Sequence, residues 1–417
     1  MPSPRLPPLL PALLQLLGLC GAAARPTDAP QQPLGADLAT GKLGYLVLKN
    51  TKNTQYSGVI GIGTPPQMLS VIFDTGSNSL VLTSDECVQI SCLMHNRFKP
   101  GRSSSYAGGG RSVTMNFAGG SVEGPLGFDV VSMGGLEAPK QSLLNIASHS
   151  VQGYAAGAFD GILGIGMEGR TNEGETAVLH SLGVQQFSIW LSSRSGEDGM
   201  LVLGGTDSQY HTGPFVNMPV ADERHWAVTM DDVAVGGRSI GACEFGAPCR
   251  GILDTGTSLI TGPSAALTRL TAGVSVAPDC SNFGELPNVS FVMAGHAFTL
   301  QPEHYVLDVS NQVLSDSPML KALFSHLPSA RCMLAMQPLD LPGEHGASWI
   351  LGDPFLRAYY SHYDRASRRV GLAPARATAG AGGAGGTRAG VSLVSTEPPR
   401  PMAVDVSAIV PPTLDFG

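Results

Sequence analysis

The sequence predicts a mostly β fold of two pseudo-symmetric lobes, with a functional site in the cleft between them. Three observations carry this expectation. The 417 residues exceed what one ordinary core accommodates. Short apolar runs alternate with turn residues, and the 53 glycines and 14% charged residues fit tight turns and large buried sheets. Finally, the chain repeats itself. Phe73-Asp74-Thr75-Gly76-Ser77 in the first half is echoed by Leu253-Asp254-Thr255-Gly256-Thr257-Ser258 in the second. Each triplet follows an apolar run, as expected where a strand delivers a carboxylate into a tight turn. Phe159-Asp160-Gly161-Ile162-Leu163-Gly164 then follows the first triplet, and Ser348-Trp349-Ile350-Leu351-Gly352-Asp353 the second, at a similar distance. The duplicated unit is therefore larger than the triplet.

Taken in order, residues 1–24 carry Arg5, an apolar stretch over 9–19 broken by Pro11 and Gln15, and the small-residue end Gly21-Ala22-Ala23-Ala24. This is the pattern of a signal peptide removed on export. A membrane helix needs about 20 continuous apolar residues, which neither this segment nor a later one supplies, so no integral membrane span is expected. Residues 25–42 are rich in Pro, Ala, Gln and Gly and read as a short, poorly structured pro-region. From residue 43, strands are expected at 45–49, 56–62, 68–73 and 79–82. The first β lobe is read as 43–218, closing after Leu201-Val202-Leu203-Gly204-Gly205, and the second as 219–375. Helical patterns are confined to short segments, chiefly 177–182 and 264–272. Residues 376–417 form a Gly/Ala/Pro-rich tail expected to be disordered. A net charge of −8 without a basic run argues against a nucleic-acid partner.

One Asp-Thr-Gly alone is an ordinary turn. Two in matched contexts, with the flank Asp254-Thr255-Gly256-Thr257-Ser258-Leu259-Ile260-Thr261-Gly262-Pro263 and the segment Trp349-Ile350-Leu351-Gly352-Asp353-Pro354-Phe355-Leu356, resemble the pepsin-like aspartic proteases. The resemblance runs from about residue 43 to about 375. It implies the bilobal acid protease fold and a monomeric, secretory-pathway endopeptidase that needs no cofactor or metal. Its substrates would be extended polypeptides with apolar residues at the scissile bond, cleaved outside the cell or in an acidic secretory or endolysosomal lumen. Cys20 leaves with the signal peptide, and the remaining six cysteines fall as two close pairs and one distant pair. The close pairs fit small loops, the spacings are not those of a zinc knuckle, and export favours disulfides. The resemblance implies the bridges Cys87–Cys92, Cys243–Cys249 and Cys280–Cys332. Where the family carries a longer basic prosegment, residues 25–42 hold only Arg25 and Lys42 as cations, which leaves the activation route open.

Asp74 and Asp254 are the candidate catalytic pair. Two carboxylates a few ångström apart in a desolvated cleft repel, so they should share one proton. One then takes a proton from a bound water while the other polarises the scissile carbonyl. By resemblance, Thr75 and Thr255 bond across the interface, while Ser77 and Thr257 bond the outer carboxylate oxygens. Gly76 and Gly256 let backbone amides approach the carboxylates. No His-x-x-x-His pair or Gly-x-Ser-x-Gly elbow is present to support metal or serine hydrolysis.

The run Gly120-Ser121-Val122-Glu123-Gly124 matches the descending arm of the family's flap, the hairpin that closes over substrate. Counting back places Phe117 where the family has tyrosine, and Val81 stands where it has tryptophan. Those two hydrogen-bond to each other in the family, and losing both leaves no orphaned polar group. The flap changes and thin pro-region motivate an alternative reading, a catalytically weak or inactive peptide-binding protein of the same fold. The intact Asp74, Asp254, Ser77 and Thr257 weigh against it. Asn288-Val289-Ser290 is a candidate glycosylation site in a strand-like segment.

Overall fold

The computed structural model describes residues 38, 41–51, 53–117, 119–151, 154–167, 174–194, 196–243, 249–308, 332–340, 348–378 and 402–403. The signal peptide, most of the pro-region and nearly all of the tail expected from the sequence lie outside the described residues.

Strands dominate. The first half holds β1 (Gly44–Thr51), β2 (Gln55–Ile62), β3 (Gln67–Asp74), β4 (Leu80–Thr83), β5 (Ala107–Phe117), β6 (Gly120–Met133), β7 (Leu136–Ile146), β8 (Ser148–His149), β9 (Gly161–Gly164), β10 (Gln186–Trp190), β11 (Gly199–Leu203) and β12 (Val216–Pro219). The second holds β13 (Ala227–Val235), β14 (Arg238–Ser239), β15 (Cys249–Leu253), β16 (Ile260–Gly262), β17 (Val289–Met293), β18 (His296–Leu300), β19 (Val306–Asp308), β20 (Cys332–Leu334), β21 (Met336–Pro338), β22 (Ser348–Leu351), β23 (Tyr359–Asp364), β24 (Arg369–Pro374) and β25 (Met402–Ala403). The four early strands read from the sequence appear as β1 to β4. The two helical patterns appear as Val178–Ser181 and Ser264–Gly273.

Burial follows the sequence pattern. Along β1, Leu46 and Leu48 point inward while Val47 and Lys49 face out, the period-two alternation of a half-buried strand. The end of β3 breaks that alternation, because Val71, Ile72, Phe73 and Asp74 are all buried. A strand covered on both faces reads as a continuous apolar run, and this is what carries a carboxylate into the interior.

The duplication is visible in the pairing. β3 runs parallel to β9, with Asp74 opposite Gly164, and β9 is antiparallel to β4. In the second half β15 runs parallel to β22, with Leu253 opposite Leu351, and β22 is antiparallel to β16. β4 is flanked in parallel by β7, and β16 by β21. Each half therefore builds the same local sheet around its Asp-Thr-Gly turn.

The sheets do not break where the sequence division does. β23 and β24, from the end of the chain, join β10 and β12 in the large sheet that also carries β1 to β7 and β9. β13, β15, β16, β17, β18, β21 and β22 form a second sheet, with β14 on β13. Trp190, Trp226 and Trp349 are fully buried, and Phe187 of β10 stacks on Tyr363 of β23 at 4.7 Å between ring centroids. The disulfides Cys87–Cys92, Cys243–Cys249 and Cys280–Cys332 are formed.

Candidate active site

Asp74 and Asp254 end up side by side although 180 residues separate them, because the two threonines that follow them lock the turns together. The Thr75 amide donates to Thr255 Oγ1 at 3.1 Å, and the Thr255 amide donates to Thr75 Oγ1 at 3.0 Å. Each hydroxyl in turn donates across the interface, Thr75 Oγ1 to the Leu253 carbonyl at 2.7 Å and Thr255 Oγ1 to the Phe73 carbonyl at 2.5 Å. The four groups are buried, so leaving any one unpaired would cost its full desolvation penalty, about 1–3 kcal/mol.

Each carboxylate is held by its own turn in the same way. The Gly76 amide donates to Asp74 Oδ1 at 2.8 Å and Ser77 Oγ donates to Asp74 Oδ2 at 2.5 Å. At the other triplet the Gly256 amide donates to Asp254 Oδ1 at 2.8 Å, and Thr257 Oγ1 donates to Asp254 Oδ2. The second echo in the sequence also has a spatial reason. A Cβ on Gly164 would stand 2.5 Å from the Asn78 amide nitrogen, and one on Gly352 would stand 2.2 Å from the carbonyl oxygen of Thr257. Both Ile-Leu-Gly segments thus press bare backbone against the turn after each aspartate.

Asp74 and Asp254 are 0% exposed. Burial is the main force raising the Asp74 pKa well above the carboxylate range, followed by the charge of Asp254, with the Ser77 and Gly76 hydrogen bonds opposing. Burial also raises Asp254, against the pull of Thr257, Gly256 and Asp74. Neighbouring carboxyls in such surroundings hold a proton that isolated ones would lose.

The hairpin read from the sequence as the flap is β5 paired with β6, with Phe117 opposite Gly120. It is moored near its tip: the Ser121 amide donates to Ser150 Oγ at 2.9 Å, and the Ser150 amide to the Ser121 carbonyl at 2.8 Å. Half-buried Phe117 packs against the apolar cluster that contains Val81, Met115, Val122 and Ile162. Val81 is itself only 1% exposed, so it forms the wall behind the hairpin rather than an open surface of the cleft. Phe117 and Val81 thus meet within one apolar cluster. Asn288 is exposed just ahead of β17.

The chain matches the model of the eukaryotic aspartyl protease family over residues 55–375. It belongs to the eukaryotic aspartyl proteases. Among curated relatives, it is 35% identical to pepsin A of Sus scrofa over 81% of this chain and 85% of that protein. It is 36% identical to pepsin A of Gallus gallus, over 79% and 87% respectively. It is 35% identical to gastricsin of Cavia porcellus, over 77% and 80%. Membership of this family accounts for the mostly β, bilobal architecture and makes a polypeptide the expected kind of substrate. No helix among the described residues is long and apolar enough to cross a membrane.

Three further residues, two on the helix that approaches Asp254 and one in the cluster behind the hairpin, were not singled out from the sequence. Asp353, at the start of the helix Asp353–Ala358, is 2% exposed, and its amide donates to the Thr257 carbonyl at 2.9 Å. Burial raises its pKa well above the usual range, the Arg357 charge opposes this, and the Asp254 charge adds to it. Arg357, one turn further on, is also buried and donates to the Asn53 carbonyl at 2.8 Å. Tyr154 packs into the Phe117–Val81 cluster with its hydroxyl 2.5 Å from Thr83 Oγ1. A hydrophobic run ending in Asp-Pro could have flagged Asp353 as a buried acid; nothing local marks Tyr154.

Proposed function

We propose that this aspartyl protease family member is an active endopeptidase whose chemistry is carried by Asp74 and Asp254. The reading rests on one observation: both carboxylates are buried in mirrored hydrogen-bond cradles locked by Thr75 and Thr255. Two carboxylates that share one proton are the known behaviour of aspartic proteases. With one proton on the pair, the ionised member takes a proton from a water molecule as it attacks the peptide carbonyl. The protonated member donates toward the carbonyl oxygen, giving a tetrahedral species without an acyl-enzyme. Collapse of that species returns a proton to the leaving amine.

The preferred substrate is an extended polypeptide with apolar residues at the scissile bond, received under the β5–β6 hairpin against Phe117. The enzyme works as a monomer, outside the cell or in an acidic lumen of the secretory pathway. Gly76, Ser77, Gly256 and Thr257 fix the carboxylates, while Gly120 and Ser121 set the hairpin tip. A weaker, peptide-binding role is favoured by one feature, the missing hydroxyl at Phe117.

The test is turnover of a denatured globin at acid and neutral pH with Asp74→Asn and Asp254→Asn. Each substitution keeps the volume and removes the acid or base function, so kcat should fall by at least about 10²–10⁴-fold while the unfolding transition persists. Near-wild-type turnover by either variant would sink the mechanism. An inactive wild type that still binds a statine-type inhibitor would support the peptide-binding role.

A further inference from the structure

The surface of the first lobe carries a feature that the cleft does not use. Cys87–Cys92 staples a small loop whose single helical turn, Ile90–Leu93, pushes aliphatic side chains outward. Val88 and Ile90 are each 81% exposed, Met94 63% and Leu93 54%. The other exposed large apolar side chains among the described residues are Val47 at 38%, Val59 at 53% and Met68 at 55%. Scattered exposed apolar residues are ordinary, but four within seven positions, on one stapled loop, form a patch.

The chain leaving this prong is cationic. Arg97, Lys99 and Arg102 line an open groove of about 360 Å³ together with Gln67, Met68 and Asn96. Arg97 Nη1 reaches the Cys87 carbonyl at 3.4 Å, which joins groove to prong. Gln67 holds the backbone of Lys99 through two hydrogen bonds of 3.0 Å. None of the three cations forms an ion pair among the described residues. Three acids lie close. Asp160 is buried and already accepts from the Asn96 amide and side chain, and Asp85 and Glu86 are exposed ahead of the prong. The ring of His95 is turned inward, with Nε2 2.9 Å from the Tyr154 carbonyl. The groove's own lining carries cations and no acid, on a chain of net charge −8, and an anionic counterpart fits it.

We propose that this surface docks the protein peripherally on an anionic phospholipid membrane. Val88, Ile90, Leu93 and Met94 enter the boundary between headgroups and acyl chains, and Arg97, Lys99 and Arg102 take the lipid phosphates. An exposed apolar loop joined to a groove lined by cations matches an apolar layer lying beneath a plane of negative charge. A folded acidic protein would need a socket shaped to the prong, whereas a bilayer needs none. The staple fixes the loop before contact, so little conformational freedom is lost on docking. The inference is independent of the chemistry assigned to Asp74 and Asp254.

Co-sedimentation with phosphatidylcholine vesicles, with and without phosphatidylserine, at low and high salt, tests it on the full mature chain. Wild type should partition onto the phosphatidylserine vesicles about tenfold or more over neutral ones, and high salt should remove that difference. Val88→Ser with Ile90→Ser should lower the partition about tenfold through lost apolar burial. Arg97→Gln with Lys99→Gln and Arg102→Gln should abolish the preference for phosphatidylserine. Unchanged unfolding temperatures serve as the control for both sets, since the altered side chains are exposed or half-exposed. The proposal is overturned by any of three results: no phosphatidylserine-dependent sedimentation, binding unaffected by both variant sets, or self-association lost with the tip variant while lipid is irrelevant. The last would make a second copy of this chain the occupant.

Discussion

Gly76 shows how much of the site is decided by single atoms. Its φ is not the constraint; proximity is. A Cβ placed there would stand 2.7 Å from Cγ and Oδ1 of Asp254. The glycine that offers its amide to one aspartate therefore also makes room for the other. Gly76→Ala should force the turns apart, since the obstructing group is itself pinned by the Gly256 amide and Thr257 hydroxyl. A displacement of about 1 Å at reacting groups can cost about 10²-fold, so kcat should fall by that order. Overpacking of a filled interior adds about 1–3 kcal/mol of lost stability. Wild-type kcat in Gly76→Ala, in a folded protein, would mean the two turns are less tightly pressed together than this contact requires. The aspartates and their hydroxyl partners were legible in the sequence because each lies within three residues of its carboxylate. Asp353 and its neighbour Arg357 were not, because the bearing of Asp353 on Asp254 comes from a helix that approaches through space, about 100 residues later in the chain.

At the scale of elements, the hairpin read from the sequence as the flap rests on an apolar cluster, and its packing decides what substitution can do. Val81 is enclosed by Ile72, Leu144 and Ile162 within one apolar cluster, leaving no space for an indole. Val81→Trp should therefore lower stability by about 1–3 kcal/mol, read as a shifted urea midpoint with unchanged slope. Phe117→Tyr, on a half-buried edge, should change kcat/KM little on its own. If the double variant regains a hydrogen bond, it should exceed the product of the singles by about 0.5–1.5 kcal/mol in coupling. A double-mutant cycle that closes with no coupling would show that the two positions do not act as a pair. The strand pattern from β1 to β4 was readable because alternation and turn residues are local. The mooring of β6 by Ser150 and the Tyr154–Thr83 contact were not, since serine and tyrosine carry no spacing signal that tells a tether from a surface residue.

The whole molecule combines these levels in its response to pH. Its sheets could not be divided from the sequence alone, because β23 and β24 return from the chain's end to pair with β10 and β12, and such long-range pairing has no local signature. That closure helps bury carboxyls in the interior. Asp74, Asp254 and Asp353 all have folded-state pKa values raised, in each case first by burial. The native state thus keeps protons that the unfolded chain releases near an ordinary aspartate pKa of about 3.9. Stability from these groups is fully present below that value and declines as pH rises toward their folded pKa values. The one proton held by the Asp74–Asp254 pair and the proton on Asp353 each contribute a slope of up to about 1.4 kcal/mol per pH unit across that window. Asp222 works in the opposite sense. Burial pushes its pKa up, but hydrogen bonds from His225 and the Arg224 amide outweigh this and hold it far below the usual range. Its contribution is present above the unfolded value and is lost only in strong acid. Asp279 and Asp340 are depressed as well, and burial lowers the pKa values of His149, His304 and His362, whose contributions grow as pH rises toward neutral, so the share of the raised carboxyls is read from a variant and not from the sign of the whole curve. Asp353→Asn is the informative variant, because it removes one raised carboxyl outside the Asp74–Asp254 pair. Its Tm should fall less, or rise more, between about pH 4 and neutral than that of the wild type, by about one group's share of the slope. Parallel Tm curves for the two proteins between acid and neutral pH would show that Asp353 is not one of the groups that set this dependence.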